Sequence, residues 1–289
     1  MVIDFRVRPP YKSFLKLGIF PRWANPVTDP LKMSPFGMGR DSVPSCEQSS
    51  MELFLKEMDE AGVSKCVVMG RRTKNSSTGA GNVEAQELRE LAQAYPARFL
   101  PFAGIDPTDD DAPTQVEQAG NMGFKGISMD PGWCVPALYA DDDRVLRVCE
   151  ACERLGLIAV ITHSGVVGPD ISYCDPCAIQ HVAQAFPRLN IVVAHASWPN
   201  IEKALGMAML CPNVYLCPDV YFYTDNMPMS EHLVTAANGY LKYRMLFAST
   251  YPVGGLKQSV EKWSRKGLTQ EALRLTLHDN AARLLQLAD

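Results

Sequence analysis

DDDRVLRVCEACERLGLIAVITHSG, residues 141–165, holds one complete structural unit. The acidic start, Asp141 to Asp143, precedes apolar residues at three- and four-residue spacing as far as Leu155, the pattern of an amphipathic helix, and Gly156 stops it. The apolar run Leu157 to Thr162 is too short for a second helix and is closed by His163 and the turn residues Ser164 and Gly165. A helix followed by a buried strand, repeated, calls for parallel pairing, because each strand must be reached by a crossover.

The unit recurs along all 289 residues. Apolar runs at Val2 to Phe5, Cys66 to Met69, Phe99 to Ile105, Phe124 to Met129, Leu157 to Thr162, Ile191 to Ala194, Val214 to Cys217 and Met245 to Ala248 read as strands. Helical periodicity separates them, as at Ser50 to Ala61, Val83 to Tyr95, Asp111 to Met122, Asp175 to Phe186 and Asn200 to Leu210, and a last helix is expected over Leu268 to Leu287. The repeat predicts an α/β chain folded as a (β/α)8 TIM barrel, one domain over residues 1–289. No G-x-G-x-x-G follows the first strand and no Walker-type loop occurs, so nucleotide binding has no support. The stretch Pro9 to Ser49, with Phe20, Trp23 and Phe36, is expected as a long loop after strand 1 and a candidate lid.

Composition narrows the functional class. With 47% hydrophobic and 21% charged residues and a net charge of −4, the chain has the profile of an ordinary globular protein and no electrostatic footprint for nucleic acid. No apolar run approaches the roughly 18–20 residues that span a bilayer, and the charges at Asp4, Arg6 and Arg8 are unlike a secretory signal, so a cytoplasmic location without membrane partners is expected. The nine cysteines include the pairs Cys149/Cys152 and Cys174/Cys177. The strand between the pairs carries the chain about 20 Å, too far for a shared metal, so they are expected as packed thiols.

In a barrel the chemistry gathers at the C-terminal ends of the strands. There the sequence offers Arg6 and Arg8, Gly70 with Arg71 and Arg72, Asp106, Asp130, His163, His195, Asp219 and Thr250. In VIDFRVRPP, Val2 to Pro10, period-two alternation puts Asp4, Arg6 and Arg8 on one face and Ile3, Phe5 and Val7 on the other. Buried guanidinium must meet an acidic partner, water or an anionic ligand, so this face either binds an anion or neutralises Arg6 with Asp4. A lone histidine is more often structural, but His163 and His195 close adjacent strands and are candidates for acid–base work. Asp130 and Asp219 border prolines and serve equally as turn residues. Trp133, Trp198, Tyr221 and Tyr223 either line a pocket or pack, His181 and His278 are expected on helix surfaces, and His232 lies past the seventh strand.

The motifs Asp4-Phe5-Arg6-Val7-Arg8, His163, AHASWPN around His195, LFASTYPVGG at residues 246–255 and LHDNAARLL at 277–285 together resemble the amidohydrolase superfamily. The likeness is to its amidohydrolase-2 branch, which includes the aminocarboxymuconate-semialdehyde decarboxylases. The resemblance covers nearly the whole chain. It implies a divalent metal held by a first-strand His-x-His pair, a fifth-strand histidine and an eighth-strand aspartate. Here Arg6, Arg8 and Thr250 stand at three of those four positions and only His163 remains. A permanently charged guanidinium cannot ligate zinc, so no cofactor is expected; zinc is the alternative if His163 and His195 recruit a third ligand.

The leading expectation is a hydrolase acting on a small carboxylated lactone, ester or amide. His163 and His195 would share acid and base duties between about pH 5 and 8, with Arg6, Arg8, Arg71, Thr250 and Asp219 binding the substrate. Non-oxidative decarboxylation is the enzyme alternative, and an anion-binding barrel without catalysis is the third. The expected partner is a small anionic substrate, with a homo-oligomer possible.

Overall fold

A computed structural model describes residues 1–24, 41–75 and 81–287. Seven parallel strands stand side by side in sequence order: β1 (Val2–Val7), β2 (Val63–Met69), β3 (Phe99–Gly104), β4 (Gly126–Met129), β5 (Ile158–Thr162), β6 (Ile191–Ala194) and β7 (Val214–Cys217). Three short helices or helical segments lead from β1 to β2: α1 (Ile19–Ala24), α2 (Pro44–Glu47) and α3 (Met51–Glu60). One long helix fills each of the next five crossovers: α4 (Ala85–Ala94), α5 (Ala112–Asn121), α6 (Asp143–Leu155), α7 (Pro176–Ala185) and α8 (Ile201–Leu210). After β7 come α9 (Val220–Tyr223), α10 (Ser230–Asn238), α11 (Leu256–Ser264), α12 (Gln270–Arg274) and α13 (Asn280–Leu284). Among the described residues no helix is long and apolar enough to cross a membrane.

Local chemistry sets the helix ends. Asp142 accepts a hydrogen bond from the Arg144 N–H at the start of α6, and Gly156 takes φ +66° after its last turn. Ser50 and Asp175 cap α3 and α7 in the same way, with Pro176 at the first helical position of α7.

The expected barrel is recovered as a TIM-barrel-like sheet with two corrections at its seam. First, Met245 to Ala248 is not a regular eighth strand. Residues 244–251 lie between β7 and β1, joined to Leu216 by the N–H of Leu246, to Phe5 by the carbonyl of Phe247 and to Arg8 by the carbonyl of Tyr251. The ladder is broken because the Ser249 N–H donates to the Asp4 carboxylate at 3.0 Å instead of to backbone, and Thr250 takes a left-handed φ of +57°. Second, the expected loop from Pro9 to Ser49 is partly helical, with a 3-10 segment at Lys12–Lys16 besides α1 and α2. The rest of the candidate lid, residues 25–40, lies outside the described residues. The terminal helix is also interrupted: a π-helical turn at Leu275–Asp279 separates α12 from α13, and the Thr276 carbonyl there accepts the N–H of Phe247.

A bulge in β1 overturns the expected faces of VIDFRVRPP. Asp4 pairs with Cys66 and Val7 with Val68, so three residues of β1 pass while β2 advances two. An extra residue reverses the alternation. Ile3 and Phe5 pack inside the barrel with Val67, Met69 and Phe102, whereas Val7 packs outside, beneath the helices. Asp4 lies opposite Cys66 on the outer side, while Arg6 and Arg8 turn inward. The Asp4–Arg6 ion bridge is therefore not formed; what Arg6 donates to Asp4 is its backbone N–H, at 3.2 Å. The inner apolar core ends below these arginines, and Ala281, Leu284 and Leu285 pack against its other end. All nine cysteines are thiols, eight of them buried, in keeping with packing roles.

Burial pushes the Asp4 carboxyl up from 3.8 to about 7, against hydrogen bonds from Ser249 and Arg6 that lower it. The folded protein thus binds a proton that the unfolded chain releases, and Asp4 withdraws stability as pH rises from about 4 to about 7. Asp4→Asn should remove this loss. The unfolding free energy of the native protein minus that of the variant should fall across the window, by on the order of 4 kcal/mol at most, measured by chemical denaturation at each pH. A difference independent of pH would contradict it.

Candidate active site

Counting from the inward residues Ile3 and Phe5, and across the bulge, β1 delivers Arg6 and Arg8 to the C-terminal end of the barrel, both almost wholly buried. Met69 faces inward at the end of β2, so Arg71, two residues on, does too. Its backbone passes so close to β3 that a Cβ on Gly104 would stand 2.4 Å from the Arg71 backbone, which only glycine allows. Asp130 after β4, Thr162 ending β5 and Asp219 after β7 complete the ring from the other side.

These groups form one electrostatic cluster. Nη1 of Arg6 lies 3.4 Å from Oδ2 of Asp219, and Nδ1 of His195 lies 3.0 Å from the same oxygen, off the line of a good hydrogen bond. Nε of Arg71 is 3.6 Å from Oδ2 of Asp130, and its guanidinium lies 4.8 Å from the centre of the Trp133 ring, within cation–π range. Burial would raise the Asp130 carboxyl, but Arg71 and Arg8 outweigh it and hold it below the usual range, with Thr162 donating a hydrogen bond. Burial likewise opposes Asp219, and Arg6 and His195 overcome it, so both carboxyls are ionised at neutral pH. Burial, then the charge of Arg6, lowers Arg8 to about 9, so it keeps its charge at neutral pH. Burial and Arg6 lower His195 despite Asp219, which leaves it neutral there.

Three guanidinium groups face two carboxylates, so one positive charge is in excess. Nε of Arg8 and Oγ1 of Thr250 are buried without a hydrogen-bond partner among the described residues. An excess of buried positive charge with unsatisfied donors has the chemistry to take up an anion.

The sequence-derived candidates divide. Arg6, Arg8, Arg71, Asp130, His195 and Asp219 come together, and Thr250 adjoins them on the seam. His163 does not join them as expected. Ala159 and Ile161 pack outside the barrel while Ile158 and Val160 pack inside, so Thr162 faces in and His163 faces out. Its ring meets Oγ of Ser197 at 2.7 Å, and the carboxylates that act on it are Asp175 and Asp141, at the starts of α7 and α6. Thr162 is the residue that sequence reading missed, although alternation counted from Ile158 marks it.

His195 would face out by the same count. It reaches Asp219 because His195, Ala196 and Ser197 take φ of +68°, +47° and +59°, three consecutive left-handed residues without a glycine. Each costs about 1–2 kcal/mol, and such strain is characteristic of functional sites. Asp219 and Thr250 are also left-handed, at +57°.

The remaining candidates have other tasks. Arg72 is half-exposed and bonded to Asp109 at 2.7 Å, a solvated role. Asp106 accepts the N–H groups of Lys74 and Thr108 and organises its own loop. Trp198 stacks on Tyr221 at 4.9 Å, and Tyr221 meets His195 edge-on at 5.4 Å, so this pair borders the site. Tyr223 instead donates to the Ser249 carbonyl, behind the seam. His181 and His278 bond to Asp141 and Asp279, and His232 lies exposed near Glu202.

A family model for amidohydrolases matches residues 51–287. Among solved structures, a TIM-barrel protein from Bordetella bronchiseptica is 33% identical, with TM-score 0.89, covering 99% of this chain and 98% of that one. A 2,6-dihydroxybenzoate decarboxylase from Rhizobium is 14% identical with TM-score 0.69, covering 99% and 98%. A 5-carboxyvanillate decarboxylase from Novosphingobium aromaticivorans, solved with bound manganese, is 13% identical with TM-score 0.67, covering 99% and 97%. At these identities the last two show the fold alone. A comparison with curated proteins finds no match.

The donors of this chain do not suit a manganese-type centre. Among the described residues no three His, Cys, Asp or Glu side chains converge. Asp219 already serves Arg6 and His195, and a dication there would face two further guanidinium groups, Arg8 and Arg71.

Burial lowers the His163 ring to about 4. Its imidazole signals in an NMR titration should therefore keep their neutral positions from pH 8 down to about 5 and move only near 4. A midpoint between 6 and 7 would place the ring in contact with water and contradict its outward burial.

Proposed function

This chain belongs to the amidohydrolase-2 family, and we propose that it carries out non-oxidative decarboxylation of a small aromatic or unsaturated carboxylate, with guanidinium groups in place of a metal. The observation that supports the reading is the excess positive charge of Arg6, Arg8 and Arg71 over Asp130 and Asp219. The named decarboxylases of the same fold point the same way.

Decarboxylation breaks the bond between the carboxyl carbon and its neighbour and leaves the electron pair on that neighbour, from where it spreads to a conjugated oxygen. A cation is most useful where this charge arrives. Arg6 is paired with Asp219 and Arg71 with Asp130, so Arg8, whose Nε has no partner among the described residues, is assigned to that oxygen, with Arg71 beside it adding positive charge for the anionic substrate. The carbon must then take a proton. With Nδ1 turned to Asp219, His195 presents Nε2 to the opposite side, and its protonated form is the assigned donor, held by Asp219. Each turnover releases one carbon dioxide and consumes one proton.

Hydrolysis is the second reading, favoured by the same His195–Asp219 contact: neutral His195 could accept a proton from water at Nε2. The two readings predict opposite pH limbs. Burial and Arg6 place the His195 transition below its ordinary 6.5. As a proton donor His195 must be charged, so kcat/KM should rise as pH falls through that region; as a base it must be neutral, so kcat/KM should fall. Hydroxybenzoates and carboxylated lactones, assayed for carbon dioxide and for new acid in parallel, decide between them. Tight binding with neither product would leave an anion-binding barrel.

Arg8→Lys should lower kcat/KM by roughly 10- to 100-fold, because a point-charge ammonium loses the paired donors of the guanidinium fork. Unchanged kinetics with a verified substrate would remove Arg8 from the site.

A further inference from the structure

We infer that His163 is a positioning residue. From the outer side of the sheet, and through Ser197, it holds the left-handed turn that aims His195 at Asp219. The inference rests on the reading that His195 meets the substrate.

Two independent observations carry it. The first is the strained turn. None of the three residues is glycine or asparagine, and although histidine tolerates positive φ better than most, nothing in Ala196 or Ser197 favours continuing it for three residues. The backbone bonds of the turn, from the Trp198 N–H to the His195 carbonyl at 3.0 Å and from the Asn200 N–H to the Ser197 carbonyl at 2.9 Å, close it, and the Gly165 N–H ties the Trp198 carbonyl, just past the three residues, to the segment after β5 at 2.7 Å. The second is the anchor. Oγ of Ser197 meets Nδ1 of His163 at 2.7 Å, both side chains are buried, and the backbone N–H of His163 donates to the carbonyl of Ala194, the last residue before the turn. His163 thus grips the turn at both ends.

The other ring nitrogen, Nε2, is buried without a hydrogen-bond partner among the described residues, and Asp175 and Asp141, not the arginine cluster, are the charges that act on the ring. The ring therefore supports its neighbour instead of touching substrate. One left-handed turn turns His195 inward and Ser197 outward, linking the two histidines.

Substitutions at Ser197 separate this role from others. Ser197→Ala removes the hydroxyl and keeps the backbone cost, so the turn should relax and kcat should fall about 10- to 100-fold with KM within about twofold. Ser197→Gly also removes the hydroxyl but makes positive φ inexpensive, so it should recover most of kcat. A hydroxyl taking part in the reaction would leave both variants equally slow. A purely packing role would make glycine worse than alanine. Either result overturns the inference.

NMR of the ligand-free protein provides the same ordering without a substrate. The groups facing His195 are Arg6, Arg8 and Asp219, of which only Asp219 raises its transition. A ring that leaves this cluster in Ser197→Ala changes all of these influences together, so the His195 midpoint should move away from its native value, with Ser197→Gly close to native. Equal midpoints in all three proteins would overturn the inference. If the NMR ordering holds while the native enzyme releases no carbon dioxide, the decarboxylase reading fails and the positioning role stands.

Discussion

Arg6 reaches Asp219 only because β1 gains one residue between Asp4 and Val7. Without that bulge Asp4, Arg6 and Arg8 would share one face, and with Ile3 and Phe5 inward both arginines would lie beneath the helices. With it, two guanidinium groups enter the barrel above the inner core and the carboxylate stays behind at the seam. There Asp4 accepts the N–H groups of Arg6 and Ser249, so one side chain fixes both the bulge and the broken ladder beside it. The bulge and the irregular seam are two sides of one arrangement: a carboxylate occupies the place where an eighth strand would have bonded.

The site above is governed by how the arginines are shared. Asp219 is the only carboxylate that meets both a guanidinium and an imidazole within the cluster, and it therefore decides which arginine remains for a ligand. Arg6 is held, Arg71 is shared between Asp130 and the Trp133 face, and Arg8 has a buried Nε without a partner among the described residues. A divalent metal would gather ligands around itself; tethered guanidinium groups distribute the charge along two strands and cannot leave. Such a site favours an anion broad enough to reach Arg8 and Arg71 together.

Much of this was legible in the sequence, for identifiable reasons. The helix–strand repeat fixed by periodicity is recovered in order from β1 to β7. The polar residues closing the strands are buried at one end as expected, because a charge that ends an apolar strand has only the barrel mouth available to it. What escaped reading was set by backbone geometry without a residue signature. The bulge in β1 is marked by no glycine, and the eighth segment has the composition of a strand yet loses its ladder to a side-chain bond from Asp4. Thr162 was legible, since alternation in IAVIT already turns it inward.

The two histidines show why strand-end position alone is an incomplete guide. Both follow an inward residue, Thr162 or Ala194, and by alternation both should face the helices. His163 obeys the count and is buried on the outside. His195 escapes it through three left-handed residues whose cost must be met by contacts elsewhere. Among the described residues, the side-chain contact to the turn on the outer side is the one between Ser197 and His163. On the proposed reading, a residue that resembles a catalytic group by its place in the sequence instead holds the conformation that aims its neighbour at Asp219.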